Sequence, residues 1–162
     1  MTTAYLGLGA NLGDRAANLA EAARRIACPQ VRVRRVSSTW ETAPRGILEQ
    51  PWFLNQVIEI ETELAPFELF QRLQQVEREM GRARAEPNGP RLIDIDILIF
   101  GDWHLDVPGL VIPHPRMSER RFVLEPLGEL APDLRHPVTK LTVREMLAAV
   151  ADQAVRRGSS LH

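Results

Sequence analysis

Two aspartates in one run draw attention first. Leu92-Ile93-Asp94-Ile95-Asp96-Ile97-Leu98-Ile99-Phe100 alternates like a strand, and successive strand side chains point to opposite faces. Ile93, Ile95, Ile97 and Ile99 then form one apolar row, and Asp94 and Asp96 share the other face, about 6–7 Å apart along the backbone. Aspartate is a poor strand former, and like charges at i, i+2 repel. A divalent cation resolves both problems. Mg²⁺ takes one or two carboxylates and completes its shell with water and phosphate oxygens, and a carboxylate pair can also bridge two ions about 3.5–4 Å apart. The run also fits aspartates paired with arginines, or a second face left in water.

Arginines flank this run. Arg82, Arg84 and Arg91 precede it with Glu86 opposing, in a stretch that Gly81, Pro87, Gly89 and Pro90 make a loop able to close over a ligand. Guanidinium groups suit charge developing on phosphoryl oxygens. Downstream, Pro113-His114-Pro115 leads into Arg116, Arg120, Arg121 and Phe122, a candidate second phosphate-contacting cluster. Phe53 and Asn55, at i, i+2, point the same way and suit a flat heteroaromatic ring, stacked by the phenyl and read at its edge by the amide. Phenylalanine at such a position also fits a core. Gln74 and Glu77 lie three apart on a helix, a spacing ordinary for a solvated face. Gly7-x-Gly9-x-x-x-Gly13 misses the dinucleotide fingerprint by one residue, and the chain has neither a P-loop motif nor a G-x-S-x-G nucleophile motif.

The elements that must hold these groups follow from periodicity. A strand over Ala4–Leu8 leads into a flexible connection, Gly7 to Gly13, and a helix capped by Asp14 with Leu19, Ala22, Ala23 and Ile26 inward, closed by Pro29. A strand spans Val31–Thr39, a loop Glu41–Pro51 and a strand Phe53–Thr62. A helix opens at Ala65-Pro66 with Leu69, Leu73, Val76 and Met80 inward and ends at Gly81. The order β-α-β-β-α-β predicts an α+β, ferredoxin-like antiparallel sheet with two helices on one face, the other face free for a ligand, and a C-terminal elaboration. After Gly101 only Val143–Val155 reads as helix.

Composition bounds the rest. The 162 residues, 44% hydrophobic and 25% charged, suit one domain over 1–162, with a core of about 4–137 and a helical tail of about 141–157. The net charge of -1 argues against gripping nucleic acid by bulk charge. Cys28 is the only cysteine, which excludes an internal disulfide. No apolar run approaches membrane-helix length and no leader is visible, so the expected location is cytoplasmic. Lys140 is the only lysine among 20 basic residues, so phosphate contacts, if made, fall to arginine forks.

Taken in order, Gly7-Leu8-Gly9-Ala10-Asn11-Leu12-Gly13, Thr42-Ala43-Pro44, Phe53-Leu54-Asn55, Arg82-Ala83-Arg84, Gly89-Pro90-Arg91-Leu92-Ile93-Asp94-Ile95-Asp96-Ile97-Leu98, Pro113-His114 and Arg120-Arg121-Phe122 resemble the 6-hydroxymethyl-7,8-dihydropterin pyrophosphokinase family, over roughly Ala4 to Pro137. The resemblance implies a ferredoxin-like monomer that moves pyrophosphate from MgATP to the pterin hydroxymethyl group and releases AMP, in folate synthesis, with no nucleic-acid or membrane partner. It implies two Mg²⁺ on Asp94 and Asp96, and Arg82 and Arg91 supporting the transferring group. It implies Gln74, Glu77, Arg84, Ile97, His114 and Arg120 at ATP, and Thr42, Ala43, Pro44, Phe53, Asn55 and Phe122 at the pterin. The sequence departs from the family at Asn88, where tryptophan is frequent, at Gly109 and Val111, where a basic and a hydroxyl residue are known, and at Pro115, which replaces an aromatic. A nucleotidyltransferase-like enzyme also uses paired strand carboxylates. An RNA-binding module shares the topology but is opposed by acids on the open face.

Overall fold

The computed structural model describes residues 1–43, 49–81 and 92–158. In chain order the elements are β1 (Thr2–Ala10), α1 (Arg15–Ile26), β2 (Val31–Val36), β3 (Trp40–Thr42), β4 (Phe53–Thr62), α2 (Pro66–Glu79), β5 (Asp94–Phe100), β6 (Leu105–Val107), β7 (Leu110–Ile112), α3 (Arg121–Leu130), α4 (Val143–Ala149) and β8 (Arg156–Arg157). A short 3₁₀ turn, Met117–Glu119, precedes α3.

The sheet runs β5-β1-β4-β3-β8, and β2 pairs with the far end of β4. All of its pairings are antiparallel. With β3 and β8 set aside, the order β5-β1-β4-β2 is that of a split βαβ. Local chemistry starts the helices where expected. Asp14 accepts the Ala17 N–H at 3.1 Å and Pro66 opens α2, both satisfying the needs of a helix N-terminus. Gly81, at φ +75°, follows α2 in the left-handed region glycine favours.

One face of the sheet is a dry layer. Ala4, Leu6, Leu8 and Ala10 of β1, Leu54, Ile58 and Ile60 of β4, and Ile95, Ile97 and Phe100 of β5 meet Leu19, Ala22 and Ile26 of α1 and Leu69, Leu73 and Val76 of α2.

Several elements differ from the sequence reading. β1 runs on to Ala10, so Gly7 and Gly9 lie inside a strand rather than in a flexible connection. The Glu41–Pro51 loop begins with Glu41 and Thr42 still in β3, an edge strand too short for alternation to reveal. The other sheet face, expected to stay free for a ligand, is only half open. Tyr5, Val57, Leu98 and Ile99 are covered there by Met117, Val123, Leu124, Leu127, Val143 and Met146. The tail helix ends at Ala149, and the chain continues into β8. Finally, Ile99 does not share a face with Ile93, Ile95 and Ile97. The β1–β5 register slips between Tyr5 and Leu6, which pair with Ile99 and Ile97, so Leu98 is the extra residue of a bulge. That slip turns Ile99 to the α3 side and Phe100 to the α1–α2 side.

Candidate active site

The site lies on the uncovered half of the second face and is built by register. Gly9 of β1 stands between Asn55 of β4 and Asp94 of β5, and Gly7 stands between Val57 and Asp96. Two cross-strand rows therefore carry an amide or apolar group on one side, an acid on the other and no side chain between them. The result is a trough one strand wide. A Cβ on Gly9 would come 3.2 Å from Asn55 Oδ1, and one on Gly7 would come 3.3 Å from Leu98 Cδ2. The missed signal was Gly-x-Gly alternating with Leu6, Leu8 and Ala10. Glycine there occupies the strand positions that face away from the core.

A cavity of about 870 Å³, measured out to its open mouth, fills the trough. Its lining brings together Thr42, Ala43, Phe53, Asn55, Asp94, Asp96, His114, Arg120 and Phe122, all expected at a site. A second recess wraps the edge of β5, lined by Phe70, Ile95, Asp96, Ile97, Gly109, Val111, His114 and Pro115 among others. Asp96 and His114 belong to both linings. Three of the four family departures, Gly109, Val111 and Pro115, fall in this recess, which they leave with small or apolar walls. The fourth, Asn88, lies outside the described residues, as do Pro44, Arg82, Arg84 and Arg91.

His114 is positioned by the bulge. Its N–H donates to the Leu98 carbonyl at 2.9 Å. Its Nδ1 accepts the Arg116 N–H at 3.2 Å, so the neutral ring carries its proton on Nε2 as a donor. Burial lowers the imidazole pKa, and the Arg120 charge adds to this against Asp94, which works in the opposite direction. Both effects favour the neutral ring. The Arg120 guanidinium lies 5.6 Å from the Phe122 ring centroid, a cation–π contact.

Of the two helix residues, Glu77 is buried and its Oε2 accepts the Ile95 N–H at 2.8 Å. It thus holds the outer edge of β5 between the two aspartates. Gln74 is half-buried on α2, and neither residue lines the two cavities. Asn11, buried, was missed as well. It donates to Gln50 Oε1 at 2.7 Å and to the Pro51 carbonyl at 3.0 Å, tying the β1–α1 connection to the chain entering β4.

The donor set bears on metal binding. Among the described residues no three His, Cys, Asp or Glu side chains gather to hold an ion. Two half-buried carboxylates on one strand face at a cavity therefore fit Mg²⁺ that shares its shell with water and phosphate, and do not fit a closed structural site. No described helix is long and apolar enough to cross a membrane.

Comparisons with known proteins identify the family and the fold. Residues 5–132 match the family model for 7,8-dihydro-6-hydroxymethylpterin-pyrophosphokinase. The chain is 44% identical over 158 residues to the 2-amino-4-hydroxy-6-hydroxymethyldihydropteridine pyrophosphokinase of Methylorubrum extorquens, covering 97% of this chain and 99% of that one. It is 44% identical over 137 residues to the Bacillus subtilis protein of the same name, covering 84% and 82%. Among solved structures, the HPPK-DHPS protein of Plasmodium falciparum superposes with a TM-score of 0.75 at 17% identity, over 93% of this chain. The present chain spans 46% of that longer one, and the likeness establishes the shared fold.

Proposed function

The chain belongs to the 7,8-dihydro-6-hydroxymethylpterin-pyrophosphokinase family, and from that premise we propose that it transfers pyrophosphate from ATP to the hydroxymethyl group of 6-hydroxymethyl-7,8-dihydropterin in folate synthesis, releasing AMP. The observation that carries the reading is the glycine trough. It sets a ring-and-amide pair, Phe53 and Asn55, across one bare strand from Asp94 and Asp96.

In this reading the pterin lies in the trough between Phe53 and Phe122. The Asn55 amide and the Thr42–Ala43 rim read its polar edge. The nucleotide enters from the recess at the β5 edge, with its base against Ile97 and its phosphates near His114 and Arg120. Gln74, Glu77 and Arg84 are the family positions for further nucleotide contacts. Asp94 and Asp96 would hold two Mg²⁺, which supply neutralisation of the triphosphate charge. The pterin hydroxyl oxygen attacks the β-phosphorus, the bond from that phosphorus to the α,β-bridging oxygen breaks, AMP leaves and the hydroxyl proton passes to solvent. Such transfers need alignment and charge stabilisation more than covalent help. His114 contributes the Nε2–H donor, Arg120 a fixed positive charge, and Arg82 and Arg91 are the family positions that support the transferring group.

The test is incubation with MgATP, with and without the hydroxymethyl dihydropterin, followed by chromatography of nucleotides. AMP should form only when the pterin is present. AMP at equal rates without it, or none with it, overturns the assignment.

A further inference from the structure

The last described segment contacts residues adjacent in the chain to those on both walls of the trough. Near its start, Gln153 accepts the Arg121 N–H at 2.9 Å and donates to the Glu119 carbonyl at 2.6 Å. Arg121 returns a bond to the Gln153 carbonyl at 2.8 Å. These contacts grip the chain on either side of Arg120 and next to Phe122, which line the cavity.

Three residues later the segment becomes β8 and pairs with β3, Arg156 opposite Glu41 and Arg157 opposite Trp40. The Gly158 N–H donates to the Thr39 carbonyl at 2.8 Å. The Arg156 guanidinium lies 4.1 Å from the Trp52 ring centroid and its Nε 3.3 Å from Glu41 Oε1. The other oxygen of Glu41 meets Arg15 at 3.0 Å, and Arg15 also donates to the Trp52 carbonyl at 2.9 Å. Glu41 and Trp52 immediately precede Thr42 and Phe53, which line the opposite wall. Gly158 is seated too closely for any side chain: a Cβ there would come 2.8 Å from Leu54 Cδ1 and nearer still to Thr39 Oγ1.

We propose that the segment from Gln153 to Gly158 is a strap that sets the width of the pterin slot, with Gln153 and Arg156 as its positioning residues. It bridges the wall that carries Phe122 to the wall that carries Thr42, Ala43 and Phe53. The proposal rests on the pterin reading of the trough. It gives a function to a part of the chain whose sequence shows no catalytic motif. Neither residue lines the cavity or the recess, so both act through the residues they hold.

The experiment compares Gln153→Ala, Arg156→Ala, Arg156→Lys and Gly158→Val in the full chain. Steady-state AMP formation is measured with each substrate varied in turn, alongside the melting temperature. For the two alanine variants and Gly158→Val, the KM for the pterin should rise about fivefold, the scale of losing an exposed cation–π contact. The KM for ATP should stay within about twofold, and Tm within about 3 °C for Gln153→Ala and Arg156→Ala. Arg156→Lys keeps a cation over Trp52 and opposite Glu41 and should recover most of the affinity. An unchanged pterin KM in Arg156→Ala and Gly158→Val overturns the strap, as does a parallel rise in both KM values with a fall in Tm. Wild-type AMP release indifferent to the pterin would instead defeat the reading of the trough, so the two failures are distinguishable.

Discussion

The second face of the sheet has two halves made by the same strands, and they are treated in opposite ways. Toward the β1 N-terminus, Tyr5, Val57, Leu98 and Ile99 are roofed by α3 and α4 into a second dry cluster. The polar groups left under that roof are paired: Glu59 takes Arg35 at 2.6 Å, and Arg35 also reaches the Leu130 carbonyl at 2.7 Å. Toward the β1 C-terminus, the outward positions are Gly7 and Gly9, flanked by Asn55 and the two aspartates, and the roof stops at Phe122 and Val123. A sheet face buries apolar side chains or presents polar ones according to what stands at alternate positions. Here one face does both, and the change falls within a single β1 strand, between Tyr5 and Gly7. The bulge at Leu98 makes this possible on β5. It turns Ile99 under the roof while Asp94 and Asp96 remain in the open half.

The sharpest break of this contrast is in the open half. Asp94→Ala and Asp96→Ala should each lower AMP formation by about 10³-fold or more, on the order of 4 kcal/mol of barrier, with Tm moving by no more than about 2 °C. Activity within tenfold of wild type would remove the acids from the chemistry. In the roofed half the effect should invert. Leu124→Ala, at a fully buried position, should cost about 2–5 kcal/mol in urea denaturation, with kcat per folded molecule unchanged. A smaller effect tests the trough itself. Gly9→Ala pushes on the Asn55 amide from 3.2 Å and should raise the pterin KM about tenfold while leaving stability nearly intact.

The smallest effect is a pH slope belonging to the roofed half. Burial, then the hydrogen bond and charge of Glu59, push the Tyr5 hydroxyl up to about 12. Burial also favours the neutral form of Glu59, but hydrogen bonds from Arg35 and Tyr5 outweigh it and keep that carboxyl low. The folded chain therefore holds the Tyr5 proton after the unfolded chain has lost it. The stability this contributes is complete below about pH 10 and drains away as pH rises toward 12. Thermal melts from pH 9 to 12 should show that decline in the wild type and a shallower one in Tyr5→Phe. Identical slopes would contradict it.

Much of the site is legible residue by residue. The Asp94/Asp96 pair and the Phe53/Asn55 pair are each i, i+2 on a strand, and alternation alone places each pair on one face. His114 and Arg120 follow from a local cluster. What stays hidden depends on neighbours distant in sequence. Gly7 and Gly9 become site residues only because Asn55 and Asp94 flank them across two ladders. Glu77 looks like a solvated helix acid until β5 brings the Ile95 N–H to it. β3 and β8 are three and two residues long and carry no periodicity of their own. The helix Arg121–Leu130 is interrupted by Pro126 and Gly128, which disguise its pattern.

By itself the sequence determined which residue types share a strand face or a helix stripe, because backbone periodicity is local and needs no partner. It therefore settled the βαββαβ order and the presence of two acids beside each other. Only the tertiary structure decided which strands became neighbours, where the β5 bulge reversed the alternation, and how far α3 and α4 roofed the sheet. Those outcomes come from pairing register and packing between segments that can lie far apart in the chain, as Glu41 of β3 and Arg156 of β8 do, and no short window of sequence contains both partners.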